Sequence, residues 1–147
     1  MDMKESLQKI NQRIKSACKD SKKDPSKIKL LAVSKGQSIE KIKNLYDLGL
    51  RYFGESYCEE LIEKAHKLPK DINWSFIGKL QSNKIKKILT VSNEIQSVSS
   101  QKHIRYIVKY AQQLNKTPFP IFSTRSFSMV FWAFLMIPGA KHIFMTS

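Results

Sequence analysis

Five apolar or β-branched runs begin near Leu30, Arg51, Asn73, Glu94 and Phe119, and a polar, helix-favouring stretch follows each of the first four. The starts lie about 21 to 25 residues apart, the length of one strand, one helix and two short loops. Repeating βα units of this kind call for a parallel sheet, closed as a barrel or open and doubly wound. The chain has 147 residues. A complete eight-unit barrel takes at least about 200, so this length holds roughly half of one.

The spacing predicts helices over about 38–49, 57–67, 81–90 and 100–115. Ile39, Ile42, Leu45 and Tyr46 give the first of these an apolar side, and Gly49 is placed to end it. An amphipathic helix precedes the rhythm, with Leu7, Ile10, Ile14 and Ala17 on one face, and "DSKKDPSK" stops it. "PFPIF", 118–122, would open a fifth strand. After Phe122 the rhythm ends: the segment 123–147 has no acidic residue and a dense apolar block around Phe131, Trp132 and Phe134. The organisation expected is therefore one α/β domain over 1–122 and a separate hydrophobic tail over 123–147. That tail reads as a buried strand or helix, an oligomer contact, or out-of-frame sequence.

Charge is lopsided, with 26 Lys and Arg against 12 Asp and Glu. The net charge of +14 would suit an anionic partner. Base-edge recognition, however, favours arginine, asparagine and glutamine at defined positions, and only Arg13, Arg51, Arg105 and Arg125 are present. The surplus is accordingly read as a lysine-rich habit of the proteome, and no nucleic-acid partner is expected. The longest apolar run, Met129 to Ile137, falls well short of the roughly 20 residues needed to cross a bilayer. "MDMKESLQKI" has no signal-peptide core, so the expected location is the cytoplasm. Cys18 and Cys58 form neither a disulfide framework nor a zinc motif. His66, His103 and His142 lack the spacing of a metal site or a triad.

Three stretches carry candidate chemistry. In "LLAVSKGQS", 31–39, Leu31, Val33 and Lys35 alternate onto one face, and Ala32 and Ser34 onto the other. If the first face lines a barrel, Lys35 rises from the inner wall at the end where ligand-binding loops gather. An amine withdrawn from water there is disfavoured as an ammonium ion, and the neutral amine is the form that condenses with an aldehyde. In "RYFGESY", 51–57, Gly54 and Ser56 could approach a ligand closely, or Ser56 could cap the helix that follows. In "NWSFIGKLQSNK", 73–84, Trp74 and Phe76 share the face expected to pack under helices, while Ser75 looks inward. Gly78 turns the chain, and the polar run Gln81 to Lys84 begins a helix whose first N–H groups could hold an anion.

Together "LLAVSKGQS", "LGLRYFGESYCEE" and "WSFIGKLQSNKIKKIL" resemble, in order and spacing, the pyridoxal 5'-phosphate homeostasis protein family, the YggS/PROSC group. The resemblance covers roughly residues 5 to 122, and "FIGKLQSNK" and "AVSK" are its most specific parts. It implies a partial (β/α)8 TIM barrel like the N-terminal domain of alanine racemase, about the first half. It also implies pyridoxal 5'-phosphate as cofactor, held by Lys35 as an internal aldimine. The implied binding set is Lys35, Val33, Gly54, Ser56, Ser75 and Gly78. The role implied is binding that influences the vitamin B6 pool, without established turnover. A racemase-like enzyme, a basic nucleic-acid-binding module and a shortened product without function stand as alternatives. The family usually has Asn at the position of Ser56 and commonly His at that of Ser75. Its phosphate-binding residues lie in later strands, and the tail after Phe122 matches none of them. Half a barrel would also expose strand edges through which copies could associate.

Overall fold

The computed structural model describes residues 2–92 and 94–116, together with the backbone of 142–146. The chain falls into two compact units that divide between Tyr52 and Phe53, and residues 142–146 belong with the first.

The first unit opens with helix α1, Met3–Ser21, which buries Leu7, Ile10, Ile14 and Cys18. The fourth apolar position is thus Cys18, and Ala17 faces solvent. Cys18 continues the i, i+4 row from Ile14, which keeps its side chain over the same stripe. Ile10, Ile14 and Cys18 form a cluster against which Met3, Ile28 and Leu30 pack. A short 3-10 turn, Pro25–Lys27, leads into strand β1, Lys29–Val33. Helix α2, Ile39–Asp47, follows, with Ser38 Oγ accepting the Lys41 N–H at 3.3 Å. This is an ordinary serine N-cap.

The ends of α1 and α2 share one device. Past α2, the Gly49 N–H donates to Tyr46 O and the Leu50 N–H to Leu45 O, with Gly49 at φ 98°. Past α1, Lys22 and Lys23 donate to Lys19 O and Cys18 O in the same pattern, but Lys22 occupies the left-handed position at φ 54°. Both are Schellman endings, and only one has the glycine that the geometry favours. Lys22→Gly is therefore expected to raise stability by about 0.5–1 kcal/mol. Chemical denaturation would read this as a higher midpoint at unchanged slope.

Strand β5, His142–Thr146, pairs antiparallel with β1 along its whole length, from Lys29 opposite Thr146 to Val33 opposite His142. One strand edge expected to be open is thus covered by the chain's own C-terminal strand. The rest of the expected tail, and the strand expected to open at 118–122, lie outside the described residues.

The second unit contains β2, Tyr52–Glu55, except for its first residue; α3, Cys58–Lys67; β3, Asn73–Phe76; α4, Ile85–Val91; β4, Glu94–Ile95; and α5, Gln101–Gln113. Strand β3 lies between β2 and β4. It runs parallel to β4, with Ser75 opposite Glu94 and Phe76 opposite Ile95. Phe53, Leu61, Trp74, Ile85, Ile88 and Ile107 are buried to 3% exposure or less. Helix α5 ends as the first two do, with Asn115 at φ 50° and the Asn115 and Lys116 N–H groups on Gln112 O and Ala111 O. Helix α4 starts at Ile85 rather than at 81, because 81–84 forms a turn and the Lys84 N–H already donates to Gln81 O. The order of strands and helices is that of the α/β class.

Candidate functional site

At the end of β1 the strand stops at Val33, two residues before Lys35. Leu30 packs on the α1 cluster, so alternation turns Leu31 and Val33 away from that helix. Leu31, Ala32, Val33 and Ser34 are all buried. Lys35 then occupies a tight turn in which the Gln37 N–H donates to Ser34 O at 3.0 Å and Gly36 has φ 69°. A positive φ at the third residue is the mark of a type II turn, and it requires glycine there. Strand alternation consequently does not set the direction of Lys35, as expected from the sequence; the turn does. Lys35 is half-buried.

In the second unit, Phe53 and Trp74 meet with ring centroids 5.9 Å apart. Their side chains therefore share one face of the sheet, and alternation places Glu55 and Phe76 there too. Gly54 and Ser75 are left on the opposite face, both buried. Glu55, fully buried, is met by helix α3: the Lys64 ammonium, itself buried, donates to Glu55 Oε1 at 2.7 Å and to Glu60 Oε1 at 2.6 Å. This ion pair belongs to the strand–helix contact and not to the face that carries Gly54 and Ser75.

Just past β3, the Ile77 N–H donates at 2.8 Å to the carbonyl of Glu55, the last residue of β2. The backbones are so close that a Cβ on Gly78 would sit 1.9 Å from Ser56 O. Only a residue without Cβ fits, which explains Gly78 by close approach and not by an unusual φ. Gly78→Ala is expected to cost at least about 2 kcal/mol, because neither backbone can yield without breaking the pairing beside it. A drop in the urea midpoint would show it.

Ser56 does not cap α3. The residue at the cap is Tyr57, which makes no side-chain capping bond. The helix begins one residue later than the acidic first turn suggested, and Glu59 and Glu60 supply favourable charge there instead. Ser75 Oγ donates to Glu94 Oε2 at 3.1 Å, and Gln96 Nε2 reaches the same oxygen at 3.3 Å. Lys84, in the turn before α4, pairs with Glu59. The hydrogen bond from Lys84 holds the Glu59 carboxyl below its ordinary range, and Glu59 in turn holds Lys84 above its own. Burial pushes the Cys58 thiol up, with Glu59 adding to the effect. Such a thiol is a poor nucleophile. Among the described residues no cluster of His, Cys, Asp and Glu could hold a metal ion. The side chain of His142 lies outside them.

The six residues expected to form a binding set thus divide. Val33 and Lys35 lie in the first unit. Gly54, Ser56, Ser75 and Gly78 lie in the second, where Gly78 and Ser56 touch and Gly54 and Ser75 share a sheet face. Sequence reasoning missed Lys64 as Glu55's partner and Glu94 as Ser75's. The first was signalled by position: Lys64 stands three residues after Leu61, on the apolar side of α3.

No family model matches the chain. Individual proteins do. It is 38% identical over 95 residues to the pyridoxal phosphate homeostasis protein of Schizosaccharomyces pombe, a match covering 63% of this chain and 40% of that one. It is 40% identical over 114 residues to the protein of that name from Buchnera aphidicola subsp. Schizaphis graminum, covering 76% and 48%. Among solved structures it is similar to PipY of Synechococcus elongatus without PLP, at 33% identity and a TM-score of 0.65, covering 80% of this chain and 51% of PipY. With PLP bound, PipY matches at 35% identity and a TM-score of 0.59, covering 74% and 51%. The chain spans about half the length of the relatives it matches. In sequence and in fold the chain belongs to the pyridoxal phosphate homeostasis protein family, the YggS/PROSC group, and forms part of its (β/α)8 barrel.

Proposed function

We propose that this chain binds pyridoxal 5'-phosphate through the amine of Lys35 and takes part in vitamin B6 homeostasis without catalytic turnover of its own. The observation that carries the reading is the turn Ser34–Gln37, which presents a half-buried lysine directly after a buried strand. A PLP-bound relative at 35% identity over 74% of the chain supports it.

The residues present fit the aldehyde end of such a cofactor. In the first unit Lys35 supplies an amine and Val33 an apolar wall; in the second, Gly54 and Gly78 offer backbone without side chains, and Ser75 and Ser56 short hydroxyl groups. Ser75 is oriented by its bond to Glu94, which leaves its oxygen lone pairs to accept a hydrogen bond. The phosphate end has no assigned partner among the described residues. When bound, the cofactor would supply an electron sink. Racemisation also needs an acid and a base placed on opposite sides of a substrate, and the described members of the set, one lysine in the first unit and hydroxyls and glycines in the second, include no such pair.

The deciding experiment is to mix the protein with pyridoxal phosphate, reduce with borohydride and map the modified lysine by mass spectrometry. Label concentrated on Lys35 supports the reading, and label spread evenly over the lysines overturns it. Incubation with enantiopure amino acids followed by chiral analysis should give no conversion above that of the cofactor alone. Among the described residues no helix is long and apolar enough to cross a membrane. We place the protein in the cytoplasm. Self-association through sheet edges would use the outer strands, β4 and β5.

A further inference from the structure

Helices α4 and α5 pack on each other, and neither carries an acidic residue. Between Lys79 and Lys116 the sequence has eight Lys or Arg residues and one acid, Glu94. The Glu94 carboxylate is engaged by Ser75 and Gln96. Two of the cations have structural work: Lys84 pairs with Glu59, and Lys116 donates to the carbonyls of Leu89 and Thr90 at the end of α4. On α5, Lys102, Arg105 and Lys109 are exposed and follow one another at helical spacing along one side.

Beside that row, Tyr106 and Tyr110 stack, with ring centroids 5.8 Å apart and planes 13° from parallel. Lys109 lies 5.8 Å from the Tyr110 centroid, and Lys86, from α4, lies 6.0 Å from it. The two helices therefore bring cations to a single aromatic pair. The sequence offers no carboxylate on either helix to offset this charge. A partner that fits must supply spaced negative charge, and planar groups for the tyrosines.

We propose that the α4–α5 face binds single-stranded nucleic acid, through its phosphates and through bases stacking at the Tyr106–Tyr110 pair. A single strand presents both features along its length, and a cationic track with aromatic platforms is the usual way to hold one. An acidic polypeptide would match the charge and leave the tyrosines without a role. With one arginine in the patch, base-edge readout is weak and binding is independent of sequence. The expectation of no nucleic-acid partner rested on base-specific recognition, which this face does not require. The inference is independent of Lys35.

The test is fluorescence anisotropy of the full chain with a short labelled oligouridylate over a range of salt. Expected is binding at low salt that weakens with a log–log slope of about −2 to −3, from three or four phosphate contacts at about −0.7 each. Arg105→Gln with Lys109→Gln should flatten that slope by about 1.4. Both positions are exposed, and circular dichroism would confirm that the variant folds. Tyr106→Leu, which keeps apolar bulk, should weaken binding by about tenfold without changing the slope. Absence of binding at low salt overturns the proposal. So does competition by polyglutamate as strong as that by unlabelled oligouridylate, with Tyr106→Leu silent, since the surface would then recognise charge alone.

Discussion

Lys35→Ala is expected to remove the dominant borohydride-trapped pyridoxal label and to lower total incorporation by at least about tenfold. Most of the other described lysines are exposed and dispersed, Lys64 being the buried exception. One amine held beside a bound aldehyde outcompetes them by proximity, an advantage that can exceed many orders of magnitude in well-oriented cases. Lys35→Arg separates chemistry from charge. The guanidinium keeps the cation and its turn position, with Gly36 still free to hold φ 69°, yet it does not condense with aldehydes under these conditions. Loss of label in both variants, with unchanged unfolding midpoints, identifies the amine itself. If Lys35→Ala labels as strongly as the unaltered protein, the site is elsewhere or absent, and the turn Ser34–Gln37 is only a connection. Ser75→Ala provides an internal comparison, since it keeps the amine and removes the hydroxyl oriented by Glu94.

Periodicity made the strand and helix order legible because each βα unit repeats the same local decision: an apolar run, a turn, then an amphipathic helix. Strands β1 to β4 all begin within a residue of the predicted starts. Boundaries set by hydrogen bonding were less visible. Tyr57 and not Ser56 stands at the start of α3, and α4 begins after a turn whose residues, Gln81 to Lys84, look helical in composition. The position of Lys35 was legible, but its geometry was not, since alternation ends with the strand and the Gly36 turn takes over. A strand in the tail was among the readings, but its partner and register were not legible. An antiparallel strand 109 residues after the end of β1 is a long-range contact, and no local pattern in the sequence encodes its partner. The same holds for Gly78, whose reason is the carbonyl of Ser56, a contact made only once β2 and β3 align.

Lys64→Met should be among the most destabilising single substitutions in this chain, costing about 3–5 kcal/mol. The cause is not the loss of an attraction but the state of what remains. Glu55 is fully buried, on the same sheet face as Phe53 and Phe76, and Lys64 is the cation that meets it at 2.7 Å. Removing that ammonium takes the buried cation away from a buried carboxylate, and a loss of this size is a large share of a typical domain's total stability. Glu55→Gln should be milder, because Lys64 keeps Glu60 at 2.6 Å and Glu60 reaches solvent, with 25% of its side chain exposed. The double variant Glu55→Gln, Lys64→Met should then recover much of what Lys64→Met alone loses, since no buried charge is left at Glu55. Urea unfolding of the three variants gives the coupling energy directly. A Lys64→Met variant as stable as the double one would mean that Glu55 is neutralised by other means and that the pair does not hold β2 to α3.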